Sequence, residues 1–259
     1  MKSKEVINHI VKWLDDYCEQ TGLDGFVVGI SGGIDSAVTS ALCAMTRRHV
    51  CCLTMPIHQI KSEFERGEEH IDWMLNKFDN VGRQLIDSTV SFDAFKSALP
   101  EDAITHLSMA NARARFRMTI LYTVAGGKRL LVAGTGNKVE DFGIGFFTKY
   151  GDGGVDLSPI ADLNKSEVFA IAKELGIVDS IQVAHPTDGL WEDGRNDEAQ
   201  IGASYPELEK AMIEYDAGTV ADDLEGREKE VFIIYKRRHE VNLHKMVPIP
   251  VCMIPEELK

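Results

Sequence analysis

The chain has 259 residues, 44% of them hydrophobic, with 28 Lys and Arg against 41 Asp and Glu for a formal charge of −13. That length buries a large core as one α/β domain over residues 1–259, and the acidic balance excludes nucleic acid as the main partner, because a phosphate-tracking surface carries a surplus of Lys and Arg. Met1 to Gln20 mixes charged and apolar residues at helical spacing without the apolar block of a secretory signal or membrane span, so the sequence predicts a cytoplasmic protein with no membrane partner.

In chain order, Val6, Ile10, Trp13, Leu14 and Tyr17 mark an opening amphipathic helix, followed by a strand over Gly25–Ile30 and a helix over Ile34–Arg47. A second strand, His49–Met55, leads to a helix through Glu63–Phe78. Val81–Ile86 reads as a short strand, Ala103–Ala125 as a helical run, Leu130–Gly134 as another strand and Lys165–Leu175 as a helix. A long helix near the end carries Lys236-Arg-Arg-His239 and His244-Lys245. Strands alternating with helices predict a doubly wound parallel sheet with flanking helices, a Rossmann-like α/β fold. Ligands in such sheets gather beyond the carboxyl ends of the strands, which puts the turns after Ile30, Met55, Ile86 and Ala133 on one rim. The five cysteines include no C-x-x-C pair, and Cys51-Cys52 falls in a buried strand; reduced structural thiols are expected, without a zinc site or redox pair.

The stretch Phe26-Val-Val-Gly-Ile-Ser-Gly-Gly-Ile-Asp-Ser36 carries the chemistry. An apolar strand runs into a glycine turn flanked by hydroxyls and a carboxylate. Gly32 and Gly33 let successive N–H groups converge on an anion at the start of the next helix. Asp35 would repel a polyphosphate unless a hard cation such as Mg²⁺ lay between them, so the pattern implies a metal–nucleotide complex. No lysine follows these glycines as a Walker A loop requires, and G-x-G-x-x-G is absent. Ser31-Gly-Gly-Ile-Asp-Ser36 resembles the SGGxDS signature of the PP-loop ATP pyrophosphatases, the adenine nucleotide alpha hydrolase-like enzymes that split ATP between its α and β phosphates.

Gly134-Thr-Gly-Asn-Lys-Val-Glu140 follows a strand and should face the same crevice. Glu140 there either completes the metal site with Asp35 or compensates a helix dipole. Gly145-Phe-Phe-Thr-Lys-Tyr-Gly-Asp-Gly-Gly-Val-Asp156 is glycine-rich yet keeps aromatics and charges, the composition of a loop that closes on a ligand.

Taken over its whole length, the chain resembles the ammonia-dependent NAD synthetases. The resemblance covers Gly29–Ser36, Asn111-Ala-Arg-Ala-Arg115, Gly134-Thr135, Phe146–Asp156, Leu163–Lys165, Pro186-Thr187 with Gly189-Leu-Trp191, and His244-Lys245-Met-Val-Pro248. It implies that Gly29, Ile30, Ser31, Gly32, Gly33, Ile34, Asp35 and Ser36 hold the ATP phosphates, with Thr135, Lys165 and Thr187 on other parts of ATP. It assigns Mg²⁺ to Asp35 and Glu140, with the adjacent Asp141 as the alternative, and deamido-NAD to Arg115, Lys149, Asp156, His244 and Lys245. It also implies a homodimer. The acidic segment Leu190–Asp197 reads either as an ordering lid or as a solvated loop.

The implied reaction is the amidation of deamido-NAD. Its nicotinate carboxylate attacks the α-phosphorus of ATP to give an adenylate, the N–H groups of Ser31 to Gly33 stabilise the departing pyrophosphate, and ammonia displaces AMP. The nucleophile must arrive as NH₃, and Asp156 is the candidate proton acceptor from ammonium. Free ammonia is the expected donor, since an amidase domain would add roughly 100–250 residues. Two rivals remain: another PP-loop enzyme adenylating a different acid or a tRNA base, and an adenine-nucleotide sensor without turnover.

Overall fold

Four short strands pair in parallel in the computed structural model of the chain, which describes residues 1–184 and 197–259. They are β1 (Gly25–Gly29), β2 (His49–Thr54), β3 (Val81–Leu85) and β4 (Leu130–Val132), in the order β3-β2-β1-β4. Val27 lies between Cys51 of β2 and Val132 of β4, and this register brings the carboxyl ends of all four strands to one side. Helices connect and flank them: α1 (Ser3–Thr21), α2 (Ile34–Met45), α3 (Lys61–Lys77), α4 (Thr89–Ser97), α5 (His106–Lys128), α6 (Lys165–Leu175), α7 (Asp179–Gln182), α8 (Asp197–Ile201), α9 (Tyr205–Asp216) and α10 (Gly226–Met246).

Both faces of the sheet are covered, which is why β1 and β2 read as continuous apolar runs rather than alternating ones. Phe26, Val28, Val50 and Cys52 pack against Leu14 of α1, Leu42 of α2 and Ile171 of α6. On the opposite face Val27, Cys51, Leu53 and Val132 meet Met118, Leu121 and Val124 of α5. The doubly wound parallel sheet expected from the sequence is the observed one. Because β4 lies on the other side of β1 from β2, the strand order reverses between β1 and β4, and the crevice opens at their carboxyl ends.

Element ends differ from the sequence reading by a few residues, for local reasons. Ile30 and Ile86 leave the strands proper but still donate to the carbonyls of Leu53 and Thr54 at 2.9 Å. α5 begins at His106 rather than Ala103 because Thr105 caps it, accepting from the Ser108 amide while the Ser108 hydroxyl accepts from the Thr105 amide. β4 stops at Val132, and Ala133 forms a parallel bridge with Leu157. α9 and α10 pack together over Val139 and Ile144, which lie on a π-helical turn spanning Lys138–Ile144. No helix among the described residues is long and apolar enough to cross a membrane. Cys18, Cys43, Cys51 and Cys52 are free, buried thiols; burial pushes Cys52 up to about 12.

α3 is tied to α2 by a buried histidine. His70 has no solvent exposure, stacks on Trp73 and places Nε2 2.9 Å from the Ser40 hydroxyl. That hydroxyl donates to the Ala37 carbonyl, so the proton between the pair belongs to His70 Nε2 and the bare Nδ1 lone pair is the atom left without a partner. Burial lowers the ring to about 4 from its ordinary 6.5. An unfolded chain therefore binds a proton below pH 6.5 that the folded one refuses. The stability tied to neutral His70 is complete above pH 6.5 and declines as pH falls towards 4, by up to about 3 kcal/mol. Urea midpoints of wild type and His70→Gln, compared from pH 7 to pH 4.5, should show a steeper acid loss for wild type; parallel curves would remove His70 from the account.

Candidate active site

The crevice between β1 and β4 holds a cavity of about 260 Å³ lined by the loop Gly29–Asp35, by Gly134 and Thr135 after β4, and by Glu140 and Lys165. The loop takes its shape from one residue above all. Gly32 has φ +89°, and a Cβ there would stand 2.2 Å from the Glu63 carbonyl oxygen of α3. Only glycine allows that left-handed turn against another backbone. Hydroxyls brace the remainder: Ser36 Oγ accepts from the Ser31 amide at 3.3 Å and donates to the Gly33 carbonyl at 3.0 Å, while Ser31 Oγ accepts from the Gly33 amide at 3.1 Å. Gln59 and Arg66 donate to the Ser31 and Gly32 carbonyls at 3.1 and 3.4 Å. These bonds turn carbonyls outward toward their donors, and α2 begins immediately after Gly33, so the loop stands at a helix N-terminus that favours anions.

Asp35, in the first turn of α2, meets groups far away in sequence. Lys165, the first residue of α6, donates to Asp35 Oδ2 at 2.6 Å and to Glu140 Oε1 at 2.9 Å. Asn137 Nδ2 donates to Asp35 Oδ1 at 3.2 Å and to Glu140 Oε2 at 2.6 Å. Glu140, rather than Asp141, thus shares both donors with Asp35. Asn137 is fully buried, and its Oδ1 caps the π-helical turn by accepting from the Glu140 amide at 3.1 Å. Burial pushes the Asp35 carboxyl up and Lys165 opposes it. Burial opposes the Lys165 charge as well, yet Asp35 and Glu140 outweigh it and hold the ammonium above its ordinary value. With three charges within hydrogen-bond distance, the carboxylate–ammonium–carboxylate state is the one the geometry supports.

Asp141 turns away from this triad. Its Oδ2 would lie 1.8 Å from a Cβ on Gly136, and it lines a neighbouring cavity of about 190 Å³ together with Asp152, Ser158 and Lys245. Burial first, then Asp152, Glu140 and Asp35, push the Asp141 carboxyl well above its ordinary value. Asp152 lines both cavities; burial raises its carboxyl as well, while its bond from the Thr148 amide at 3.0 Å works the other way.

The residues that the sequence reading assigned to the second substrate collect around the loop 145–156 rather than in the larger cavity. Arg115 Nε donates to the Lys149 carbonyl at 3.1 Å, Lys149 Nζ to the His244 carbonyl at 2.8 Å, and Lys245 Nζ to the carbonyls of Phe147, at 2.7 Å, and Gly145. Three cations thereby join α5, the loop and the end of α10. Asp156 accepts from the Val132 amide at 2.8 Å and from the Tyr122 hydroxyl at 3.0 Å, which fixes the strand-like segment beside β4. Thr187 and the segment Leu190–Asp197 concern residues 185–197, of which 185–196 and the side chain of Asp197 lie outside the described residues.

Several contributors were missed from sequence. Asn137 had a visible signal, an Asn-x-x-Glu cap with Glu140 three residues on. Gln59, Arg66, Asp152 and Arg117, whose Nε donates to the Met55 carbonyl at 3.1 Å while it lines the larger cavity, had no local signal.

A metal fits this chemistry. Asp35 and Glu140 are hard oxygen donors aimed at one point, with side chains 18% and 14% exposed, and they line the same cavity as the loop Gly29–Asp35. No group of three or more His, Cys, Asp or Glu that could hold a metal ion occurs among the described residues, so such an ion would draw its other ligands from phosphate oxygens and water.

Fold and cradle together define a PP-loop nucleotide-binding protein built on a doubly wound sheet. The NAD synthase family profile matches residues 6–247, and the chain belongs to that family. It is 35% identical to the NH(3)-dependent NAD(+) synthetase of Methanosarcina acetivorans, over 97% of this chain and 98% of the relative, and 36% identical to that of Alkaliphilus metalliredigens, over 95% and 96%. Among solved structures it is similar to an NMN synthetase from Francisella tularensis, with 30% identity, a TM-score of 0.83 and 99% coverage of both chains. The NH3-dependent NAD synthetase from Campylobacter jejuni shares 26% identity at a TM-score of 0.79, over 98% of this chain and all of that one.

Proposed function

We infer that the chain is an ammonia-dependent NAD synthetase, which amidates deamido-NAD at the expense of ATP and releases AMP and pyrophosphate. The carrying observation is that Asp35 and Glu140 converge on one point of the cavity lined by the glycine loop at the switch point of the sheet, in a chain of the NAD synthase family. A quiet nucleotide sensor has no use for two carboxylates opposite a phosphate cradle.

The residues divide the work by charge. A carboxylate is a poor acyl donor because oxide would have to leave; a carboxylate oxygen of the substrate therefore forms a bond to the α-phosphorus of ATP while the α–β phosphoanhydride breaks. The loop Gly29–Ser36 brings the N-terminus of α2 to the cavity, and that helix end takes up the charge that accumulates on pyrophosphate. Asp35 and Glu140 would hold Mg²⁺, whose chemistry when bound is to neutralise the phosphate oxygens. Lys165 and Thr135 line the same cavity as partners for ATP, and Thr187 is assigned to ATP on the family pattern. Ammonia then bonds to the acyl carbon, the bond to AMP breaks, and one proton leaves the nitrogen.

Asp156 and Asp152 can serve that second step differently. Asp156 already accepts two hydrogen bonds, which suits it to orienting the substrate beside β4. Asp152 faces the cavity, and burial makes its carboxylate the stronger base, so it is suited to take the proton from ammonium. Arg115, Lys149 and Lys245 supply positive charge around the loop 145–156 for the pyrophosphate of the dinucleotide, and His244 is assigned to the same substrate on the family pattern. The loop excludes water from the adenylate.

The assay is purified protein with deamido-NAD, ATP, Mg²⁺ and ammonium, following NAD, AMP and pyrophosphate together. Equal yields of the three products support this reading; ADP formation, or no NAD from folded protein, sinks it. A second reading of the acid substrate rests on the similarity to the Francisella NMN synthetase. Nicotinate mononucleotide belongs in the same assay, and a higher kcat/KM for it than for deamido-NAD would make the mononucleotide the substrate. The remaining assignments are one domain over 1–259, a cytoplasmic location and a homodimer. For the dimer, exposed apolar side chains such as Val90 on α4 and Leu107 on α5 offer contact surface, and monomer alone in sedimentation would count against it.

A further inference from the structure

We propose that Lys165 is a displaceable counter-cation: without nucleotide its ammonium fills the seat between Asp35 and Glu140, and it yields that seat to a divalent cation only when ATP phosphates offer it another anion. The inference rests on the reading of Asp35 and Glu140 as Mg²⁺ ligands and adds how the metal gains entry.

The geometry makes the two cations exclusive. Lys165 Nζ stands 2.6 Å from one carboxylate and 2.9 Å from the other, and its side chain is 4% exposed. A Mg²⁺ ion bound to both carboxylates needs oxygens at about 2.0–2.1 Å, which places it in the volume the ammonium occupies. Two carboxylates and one ammonium sum to a charge of −1. Adding a dication while Lys165 stayed would bring the sum to +1 and set two cations against each other in a buried place. Exchange of the ammonium for the dication leaves the seat neutral. Asn137 keeps both carboxylates aimed at the same point whichever cation lies between them.

Lys165 also has somewhere to go. It lines the same cavity as Ser31 to Gly33, and its four-carbon stem can carry the charge to a phosphate without moving α6. In the nucleotide-free protein the alternative position offers no anion, so departure would strip a buried charge of its partners. Metal and nucleotide are therefore coupled, and the coupling is reciprocal: free divalent ions meet a filled seat, and the metal enters with ATP.

Equilibrium binding of Mn²⁺ to the full chain tests this, with and without α,β-methylene-ATP and corrected for the metal that the analogue holds by itself. For wild type the analogue should tighten Mn²⁺ binding by about 5–150-fold. Lys165→Met should bind Mn²⁺ without analogue about tenfold or more tightly than wild type does, and gain less from the analogue than wild type gains, because the phosphate oxygens still add ligands but no ammonium has to be displaced. Equal Mn²⁺ affinity of wild type with and without analogue overturns the proposal, as does folded Lys165→Met with no gain. If the variant folds only with metal, Mn²⁺ should raise its melting temperature and leave wild type unmoved; no selective rise has the same negative meaning. A double variant, Asp35→Asn with Glu140→Gln, separates the two readings. Retained Mn²⁺ binding with the analogue there defeats the carboxylate ligands themselves, whereas lost binding there beside an uncoupled wild type defeats only the role of Lys165.

Discussion

Asp35→Asn is expected to lower NAD formation by on the order of 10²–10³-fold while the protein stays folded, with stability changed by no more than about 1 kcal/mol. The two effects separate because of how the triad is charged. Lys165 sits between two carboxylates, so it still has Glu140 at 2.9 Å when Asp35 loses its charge. The amide keeps the shape of the carboxylate and can still accept from Lys165 or Asn137. On the proposed reading, what disappears is one of the two anionic oxygen donors in the cavity that the loop Gly29–Asp35 lines, and with it the grip on a metal–nucleotide complex. Lys165→Met is the opposite case: it leaves two buried carboxylates facing each other and should cost about 3–5 kcal/mol in the absence of metal. NAD, AMP and pyrophosphate yields, read beside urea midpoints, check both halves. Wild-type turnover in Asp35→Asn would remove Asp35 from the chemistry, and a collapsed fold would show that Glu140 alone does not hold Lys165.

The parts of this arrangement that were legible in the sequence are those set by local patterns. β1 and β2 announce themselves as apolar runs because both faces of the sheet are covered, and Ser31-Gly-Gly-Ile-Asp-Ser36 announces a cradle because glycine, hydroxyl and carboxylate each have a short-range task there. Alternation of strands and helices then sufficed to put the turns after Ile30 and Ala133 on one rim. Element ends were less legible, since capping decides them: the start of α5 depends on Thr105 and Ser108 exchanging hydrogen bonds. The turn Lys138–Ile144 escaped because its π geometry is supported by α9 and α10, which lie more than sixty residues downstream. α4 escaped as well; its single buried side chain, Phe92, leaves little apolar period to read.

The site was legible as a set of residues and not as a set of bonds. Asp35, Glu140 and Lys165 were each named from pattern or resemblance, but Lys165 was assigned to ATP. That it reaches back across 130 positions to Asp35 follows from α6 and α2 packing side by side, which no local pattern encodes. The same holds for Lys149, Arg115 and Lys245, whose charges satisfy the carbonyls that join the loop 145–156 to α5 and α10. A side-chain type predicts the chemistry available to a residue; which partner it takes is a property of the packing.

Gly32→Ala should abolish amidation and cost ~2–4 kcal/mol in stability, and the source of that cost can be isolated. Two penalties act at this position. The first is the backbone angle, φ +89°, which an L side chain resists. The second is contact, since the added carbon would meet the Glu63 carbonyl oxygen at 2.2 Å and the Gly67 amide nitrogen at 3.2 Å, both parts of the α3 backbone rather than the ends of movable side chains. Gly176 supplies the control. It caps α6 at φ +70° and has nothing within 4 Å of its would-be Cβ, so Gly176→Ala carries the angular penalty alone, about 1–2 kcal/mol, and should keep full amidation. If the extra loss in Gly32→Ala arises from the loop being pushed off α3, the loop no longer holds its shape at the N-terminus of α2, and ATP binding should fall along with stability. Urea midpoints and ATP titrations of the two variants decide the matter: equal losses at both glycines, or a Gly32→Ala protein that binds ATP as wild type does, would mean that the cradle's shape does not depend on its approach to α3.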